Sequence, residues 1–321
     1  MTSDSNDFNL SRIADSRVSD GVHRACIATI VPAHIARLGR LLGRCVYVLD
    51  GPHRRIVRRN LEFAHPRWSR EKITRISRGV FQNLGTTFLE ICQLATMSRQ
   101  DLLSRVEVEG AEHLEAALER KKGVIVVGAH LGNWEMGLQC VCCLLQQPIL
   151  GVAKKIRLES LNRQVHRIRT RFGIKVIYKK GALPEMRGIL RQGGVLALLV
   201  DQSRRSEGVE VTFFGQRVTA TPAVAFLSLR CQSPVLPMFC IRQPDGRLFL
   251  EVKAPLEMKR TGDLRADVQT NTQLITDVVE QAVRRYPDQW LWAHKRWKKY
   301  YPHLYPEYLE RRKRRHARKG R

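Results

Sequence analysis

Short apolar runs that alternate with helix-length segments are the feature that most constrains how this chain folds. Beyond residue 100, runs such as Val124–Val127 and Val195–Val200 are separated by amphipathic segments of about ten residues. Strands that alternate with helices favour a largely parallel sheet covered on both faces. The turn residues Pro244, Asp245 and Gly246, between the last two runs, predict one antiparallel hairpin. We therefore predict an α/β fold: a single domain over residues 101–302, with a mostly parallel mixed sheet flanked by helices.

The individual elements follow from the same patterns. Predicted strands cover residues 106–109, 124–127, 149–152, 175–178, 195–200, 211–214, 235–241 and 248–252. Predicted helices cover residues 111–120, a segment after Asn133, and residues 158–172, 183–191, 222–230 and 267–285.

Residues 21–100 predict a helical extension that associates with a membrane. Residues 21–50 have the spacing of a basic amphipathic helix, which either lies on a membrane or packs on its own domain with a solvated basic face. Residues 53–59 are a polybasic turn by composition, and residues 68–97 have the spacing of a core helix. No apolar run reaches the ~18 residues that span a bilayer, so we expect peripheral or weak attachment. Residues 1–20 are predicted to be disordered, and residues 303–321 to form a basic tail.

The charge of the chain predicts a polyanionic partner. The sequence has 56 lysines and arginines against 30 acidic residues, a formal net charge of +26. Nucleic acid, an anionic membrane, a phosphorylated lipid and an acidic carrier protein are all compatible with that excess. Because no nucleic-acid-binding motif accompanies the charge, we expect no nucleic acid. Cys140 and Cys143 form a C-x-x-C in a helical, apolar setting, so buried thiols are favoured over metal ligands, and no metal or cofactor is expected.

Candidate functional residues stand where predicted strands end. Sites in α/β sheets form at the carboxyl ends of strands, and His130, Lys154, Asp201 and Phe214 all fall at or just beyond such ends. His130 and Glu135 flank a strand-to-helix corner, where a carboxylate can hold one ring nitrogen while the other accepts a proton. The alternative is that His130 caps the helix and Glu135 is a first-turn carboxylate favoured by the helix dipole. Motifs of serine hydrolases, zinc proteases, P-loop ATPases and nicotinamide enzymes are missing from the sequence, which leaves direct base-catalysed transfer.

The segment HLGNWE, from His130 to Glu135, resembles the H-x-x-x-x-[DE] block of the lysophospholipid acyltransferase superfamily, in the form of its lipid A biosynthesis (lauroyl/myristoyl) acyltransferase branch. Further blocks between about residues 30 and 300 resemble that branch: Arg58–Leu61 with Pro66, Lys154–Arg157, Arg167–Arg169, Asp201 with Gln202, Phe213–Gly215, Thr221 with Pro222, Pro234–Pro237, Leu291 with Trp292, and His294–Trp297. The resemblance is specific because so many blocks match at once. One departure is Ser203, where the family often has an acidic residue or asparagine.

The resemblance implies the superfamily's glycerol-3-phosphate/lysophospholipid acyltransferase-like fold and an O-acyltransferase that acts in lipopolysaccharide biosynthesis. His130 would be the general base and Glu135 the acid that orients it. The implied donor is an acyl carrier protein thioester, and the implied acceptor is a hydroxyl of an anionic phosphoglycolipid, a lipid A precursor. The alternative acceptor is a phosphatidylinositol mannoside or another glycolipid, acylated from acyl-CoA.

By the same resemblance, the substrate contacts would be Asn133, Lys154, Arg157, Arg169, Asp201 and Gln202. For Arg169, on a helix crowded with arginines, a solvated face is an equal alternative. The implied location is the cytoplasmic face of the inner membrane.

Overall fold

The computed structural model describes residues 22–145, 149–179, 181–203 and 208–310. Its strands are β1 (Val106–Glu109), β2 (Val124–Gly128), β3 (Ile149–Ala153), β4 (Ile174–Tyr178), β5 (Val195–Leu199), β6 (Val209–Phe213), β7 (Gln216–Ala220), β8 (Val235–Arg242) and β9 (Leu248–Val252). The helices before the first strand are α1 (Val22–Leu49), α2 (Gly51–Ala64), α3 (Arg70–Gln93) and α4 (Arg99–Arg105). The later helices are α5 (Ala111–Glu119), α6 (Trp134–Leu145), α7 (Glu159–Thr170), α8 (Leu183–Arg191), α9 (Ala223–Cys231) and α10 (Leu264–Arg285).

Seven strands form the central sheet in the order β1-β9-β8-β2-β5-β3-β4. The five strands from β8 to β4 run parallel, β9 pairs antiparallel with β8, and β1 pairs parallel with β9. The predicted α/β fold with a mostly parallel mixed sheet is confirmed, and so is the hairpin between the last two strands. All five residues of β2 are buried, as expected for a parallel strand that helices cover on both sides.

The hairpin β6–β7 lies outside this sheet and corrects one prediction. We expected residues 211–214 to contribute a strand to the main sheet, but β6 pairs only with β7, as a separate two-stranded sheet. Val211 and Val218 face each other in the hairpin and are both buried, so the alternating pattern that predicted a strand was real. Because β7 follows β6 within three residues, local pairing takes the place of sheet insertion.

The polybasic segment at residues 53–59 is helix α2 rather than a turn. Asp50 caps this helix by accepting a hydrogen bond from the backbone N–H of His53 at 3.1 Å, and Pro52 stands in the first turn. Ile56, Val57 and Leu61 are buried on one face of α2. The turn prediction was wrong because it rested on the many arginines of the segment and did not take account of the helical spacing of its few apolar residues.

Helices α1 and α3 pack through glycines. A Cβ on Gly85 of α3 would lie 2.3 Å from the carbonyl oxygen of Gly39, and one on Gly43 would lie 2.2 Å from the carbonyl oxygen of Phe81. Only glycine permits two helix backbones to approach this closely. None of the helices described by the structure is long and apolar enough to cross a bilayer.

The predicted ends of the chain fall mainly outside the described residues. This applies to residues 1–20 and to the basic segment 311–321. Within the segment assigned to the tail, however, Tyr305 is fully buried and its hydroxyl donates to Oδ1 of Asn60 at 2.6 Å. Residues 303–310 therefore pack against the core, and a basic tail begins later than residue 303.

Candidate active site

The turn between β2 and α6 presents His130 at the carboxyl edge of the sheet. Gly132 has a φ of +62°, and a Cβ there would lie 2.0 Å from the carbonyl oxygen of Cys240. Glycine at position 132 therefore permits the turn to approach β8 more closely than any other residue type would. The backbone N–H of Asn133 donates to the same Cys240 carbonyl at 2.8 Å, and the carbonyl of His130 accepts from Leu291 at 3.0 Å.

His130 is held by Asp201, not by Glu135. Nδ1 of His130 lies 2.8 Å from Oδ1 of Asp201, and the backbone N–H of His130 donates to Oδ2 at 2.9 Å. Oδ2 also accepts from the indole Nε1 of Trp290 at 2.8 Å. An ionised carboxylate can only accept, so Nδ1 carries the proton and Nε2 presents a lone pair. This geometry corrects our assignment of the orienting role to Glu135.

His130 and Asp201 shift each other's pKa. Burial would raise the pKa of Asp201, but the adjacent His130 and the hydrogen bonds from His130 and Trp290 hold it well below its usual range. Burial would lower the pKa of His130, but the Asp201 carboxylate and its hydrogen bond, with help from the Glu135 charge, raise it. Nearby, burial lowers the pKa of His294 to about 3, whereas the pKa of His130 is raised.

Glu135 forms an ion pair with Arg169 of α7. Nε of Arg169 lies 3.0 Å and 3.1 Å from the two carboxylate oxygens of Glu135, and a terminal nitrogen of the guanidinium also donates to Oε1. Such a bidentate pair fixes both side chains in one orientation. Arg169 is therefore not part of a purely solvated helix face, and α6 and α7 are joined beside His130.

Asn133 is a structural residue, which corrects its prediction as a substrate contact. It is fully buried, its Oδ1 accepts the backbone N–H of Met136 at 3.0 Å, and its Nδ2 donates to Oε2 of Glu90 at 2.6 Å. The first bond satisfies one of the free N–H groups at the start of α6. Glu90 is in turn paired with Arg242 of β8 through both carboxylate oxygens, and both side chains are only 9% exposed.

A cavity of about 440 Å³ opens beside His130. At its opening stand Glu135, Arg169, Lys154 and Gln202, with Nε2 of Gln202 lying 3.4 Å from Nε2 of His130. The inner wall is apolar and comes from six strands of the sheet: Val126, Gly151, Ile174, Val176, Ala197, Met238, Cys240 and Leu250. A cavity with an apolar interior and a few polar groups at one end is typical of a site for an amphipathic ligand.

The structure thus brings together most, but not all, of the predicted site residues. Arg157 is exposed and does not line the cavity. Phe214 is buried in the turn of the β6–β7 hairpin, with a φ of +54°, and does not line it either. Cys140 and Cys143 are buried free thiols, as predicted, and burial raises the pKa of both.

Two groups of site residues were missed by the sequence analysis. Trp290, which donates to Asp201, directly precedes the block at Leu291 and Trp292. This position next to a recognised block was the one signal in the sequence that pointed to its indole N–H. Glu90 and Arg242 are 152 positions apart and belong to no recognised motif. No signal in the sequence connects them.

Comparison with known proteins shows the family of the chain. The profile of the bacterial lipid A biosynthesis acyltransferase family matches residues 21–299. The chain belongs to this family. Among similar proteins, the lipid A biosynthesis lauroyltransferase of Escherichia coli K12 is 26% identical over 269 residues, which cover 82% of this chain and 85% of the relative. The E. coli lipid A biosynthesis palmitoleoyltransferase is 25% identical over 248 residues, 76% of this chain and 78% of the relative.

A related branch is represented as well. The phosphatidylinositol mannoside acyltransferase of Mycobacterium tuberculosis (strain CDC 1551 / Oshkosh) is 26% identical over 224 residues, which cover 67% of this chain and 68% of the relative. All these relatives are named as acyltransferases, and this member of the family is an acyltransferase too. The resemblance stated from the sequence motifs is confirmed at the level of the family.

Proposed function

We propose that this acyltransferase moves a fatty acyl chain from an acyl carrier protein thioester to a hydroxyl of a lipid A precursor, with His130 as the general base. The observation that carries the proposal is the chain of hydrogen bonds from Trp290 through Asp201 to His130, which ends beside a cavity with an apolar wall. The apolar interior suits an acyl chain. The basic opening suits an anionic headgroup.

In the proposed reaction, Nε2 of His130 takes the proton of the acceptor hydroxyl as its oxygen attacks the thioester carbonyl. Asp201 stabilises the imidazolium that forms, and Trp290 keeps the carboxylate in place. Collapse of the tetrahedral intermediate breaks the carbon–sulfur bond, and the imidazolium returns the proton to the departing thiolate. The products are an ester and a free thiol, without a covalent enzyme intermediate.

The ion pair of Glu135 and Arg169 has a supporting part in this proposal. Glu135 holds the guanidinium at the opening of the cavity, where Lys154 adds a second positive charge. A phosphate of the acceptor would bind between them and bring its hydroxyl to Nε2 of His130. Gln202, 3.4 Å from that nitrogen, would contact the same hydroxyl or the thioester oxygen.

The test uses purified protein, an acyl carrier protein thioester and a lipid A precursor in detergent, with the product identified by mass spectrometry. We expect His130→Ala to lower the rate by at least ~10³-fold while thermal unfolding is unchanged. His53→Ala is the matched control, because His53 is an exposed histidine paired with Asp50 away from the cavity, and full activity is expected. A His130→Ala protein with normal activity would refute the mechanism.

A phosphatidylinositol-mannoside-type or other glycolipid acyltransferase that uses acyl-CoA is the second candidate, because the mycobacterial relative is as similar in identity as the lauroyltransferase. The same assay with both donors and both acceptors separates the two. Transfer from acyl-CoA to the mannoside, with none to the lipid A precursor, would favour the second candidate.

We also propose that the enzyme works peripherally at the cytoplasmic face of the inner membrane through the helical region of residues 21–100. Helix α1 turns Leu38, Leu41 and Leu49 outward, between 55% and 82% exposed, together with Arg37 and Arg44. Exposed leucines and arginines on one helix favour an anionic lipid surface.

A further inference from the structure

Exposed large apolar side chains fall into two groups in the part of the chain the structure describes. The first group lies on α1 and α3: Leu38, Leu41, Val46, Val48, Leu49 and Phe88. The second group, which we call the mouth rim, is far away in sequence: Leu158, Leu161, Tyr178, Leu183 and Leu199. A clustered set of exposed apolar side chains marks an interaction surface, whereas single ones are ordinary.

The mouth rim lies on the same edge of the sheet as the cavity, and its member Leu199 lines the cavity. Its members stand at the ends of β4 and β5 and at the starts of α7 and α8, on the edge of the sheet where His130 lies. Asn162 ties the rim together, since its amide donates to the hydroxyl of Tyr178 at 3.1 Å and accepts the backbone N–H of Ile156 at 3.0 Å. Ile156 and Leu199 line the cavity itself. The rim is therefore continuous with the cavity wall.

Leu158 stands at a position where a leucine weakens the helix. It is the N-cap residue of α7 and makes no side-chain hydrogen bond to the first turn. Serine, threonine, aspartate and asparagine are preferred at an N-cap, and an apolar residue at that position lowers the stability of the helix by about 1 kcal/mol. Yet its side chain is 62% exposed, so packing within the chain does not explain the leucine.

Positive charges are interleaved with the rim. Lys154, Lys155 and Arg157 are exposed in the loop between β3 and α7, and Lys179 is exposed just after β4. Lysine and arginine can lay their carbon stems on an apolar surface while their charges reach anionic groups, and tyrosine is favoured at the boundary between lipid and water. The combination matches an anionic bilayer rather than an acidic protein, which would need the charges but not the exposed leucines.

We propose that the mouth rim is a second lipid-binding surface, which sets the opening of the cavity directly against an anionic bilayer. This inference rests on the proposed function, because it says how the lipid acceptor reaches His130: its headgroup enters the cavity while the acceptor stays in the leaflet. The group on α1 and α3 attaches the enzyme, and the mouth rim orients it.

The test compares wild-type protein with a rim variant carrying Leu158→Ser, Leu161→Gln and Leu183→Gln. None of these leucines lines the cavity, and serine at the N-cap favours α7, so the variant is expected to unfold at the wild-type temperature or above. The control variant carries Ala116→Gln and Ala266→Gln, at exposed positions on α5 and α10 outside both apolar groups. Sedimentation with mixed phosphatidylcholine and phosphatidylglycerol vesicles measures partitioning, and the transfer assay is run with acceptor in vesicles and in detergent.

We expect the rim variant to partition onto vesicles at least ~10-fold more weakly, from the loss of buried apolar area. The difference should persist at high salt, where charge attraction is screened. With the acceptor in vesicles, the rate of transfer per bound molecule of the rim variant should fall by a similar factor. With the acceptor in detergent, its rate should stay within about twofold of wild type. The control variant should match wild type in every one of these measurements.

Equal partitioning of the rim variant and wild type would overturn the proposal. So would a loss of activity in detergent through a raised KM for acyl carrier protein, which would make the rim a docking site for the carrier. If wild type transfers no acyl chain to any phosphoglycolipid, the proposed function fails, and the vesicle comparison still decides whether the rim binds lipid.

Discussion

At the scale of single residues, the site has two carboxylates with different partners. Asp201 holds His130, and Glu135 holds Arg169. The site therefore contains a base on the β2–α6 turn whose tautomer is fixed and a cation on α7 whose position is fixed. In the proposed reaction, the proton-transfer group His130 and the anion-binding group Arg169 therefore have different carboxylate partners, although they line the same cavity.

Asp201→Asn tests the first pair. An asparagine cannot stabilise the imidazolium and allows the wrong tautomer, so we expect kcat/KM at a pH above the acidic limb to fall by about 10²–10⁴-fold. The raised pKa of His130 means that wild-type activity is present above that pKa and is lost as the pH falls through it. Without the carboxylate the pKa drops, so the acidic limb of the variant's pH profile should move to lower pH. A limb that stays in place would show that another group than His130 controls it.

A double-mutant cycle tests the second pair. Glu135→Gln and Arg169→Gln should each impair transfer, because either change leaves the other half-buried charge without its partner. The double variant should lose less than the sum of the two, with a coupling of about 0.5–3 kcal/mol in kcat/KM. Fully additive losses would indicate that Glu135 and Arg169 act independently on substrate.

At the scale of elements, helix α3 supports the catalytic turn from behind. Thr87 donates to the carbonyl of Gly132 at 3.0 Å, and Asn83 donates to it at 3.4 Å. One turn further along, Glu90 reaches Asn133 and Arg242. Three successive turns of one helix thus fix the backbone on which His130 stands.

The position of His130 was predictable because it depends on local order. An apolar run followed by Gly128 and an amphipathic helix marks a strand-to-helix corner, and the corner of a parallel sheet is where sites form. The partner of His130 was not predictable in the same way. Glu135 is close in sequence, but Asp201 follows β5, which the sheet order makes the neighbour of β2. Helical spacing alone carries no information about strand order.

Arg242→Ala tests the support at the turn. It leaves Glu90 as a buried charge without its partner, so the free energy of unfolding should fall by about 3–5 kcal/mol in urea denaturation. The control is Asp245→Ala, which removes one of the two exposed acidic partners of Arg247 and a side-chain hydrogen bond in the hairpin turn, and should change the free energy of unfolding by at most ~1 kcal/mol. Equal effects of the two variants would show that the buried pair gives no special support.

At the scale of the whole molecule, an excess of positive charge is combined with two groups of exposed apolar side chains. The net charge of +26 is compatible with three anionic partners of the proposed reaction: the acyl carrier protein, the acceptor headgroup and the lipid surface. The exposed leucines favour the bilayer, because a lipid surface can bind both the positive charges and the apolar side chains. In our proposal, charge attracts the partners and the apolar surfaces orient the enzyme on the bilayer.

Deleting Arg311–Arg321 tests the electrostatic part separately. These eleven residues carry eight of the 56 lysines and arginines of the chain, and each positive charge near an anionic surface contributes roughly 1 kcal/mol at low salt. We expect the truncated protein to bind phosphatidylglycerol-containing vesicles at least ~10-fold more weakly at low ionic strength, and the difference to shrink as salt is added. Transfer in detergent should stay close to wild type, because the deletion leaves every residue of the cavity in place. Vesicle binding that is unchanged at moderate salt would exclude a membrane role for this segment, and a loss of activity in detergent would assign it to the reaction itself.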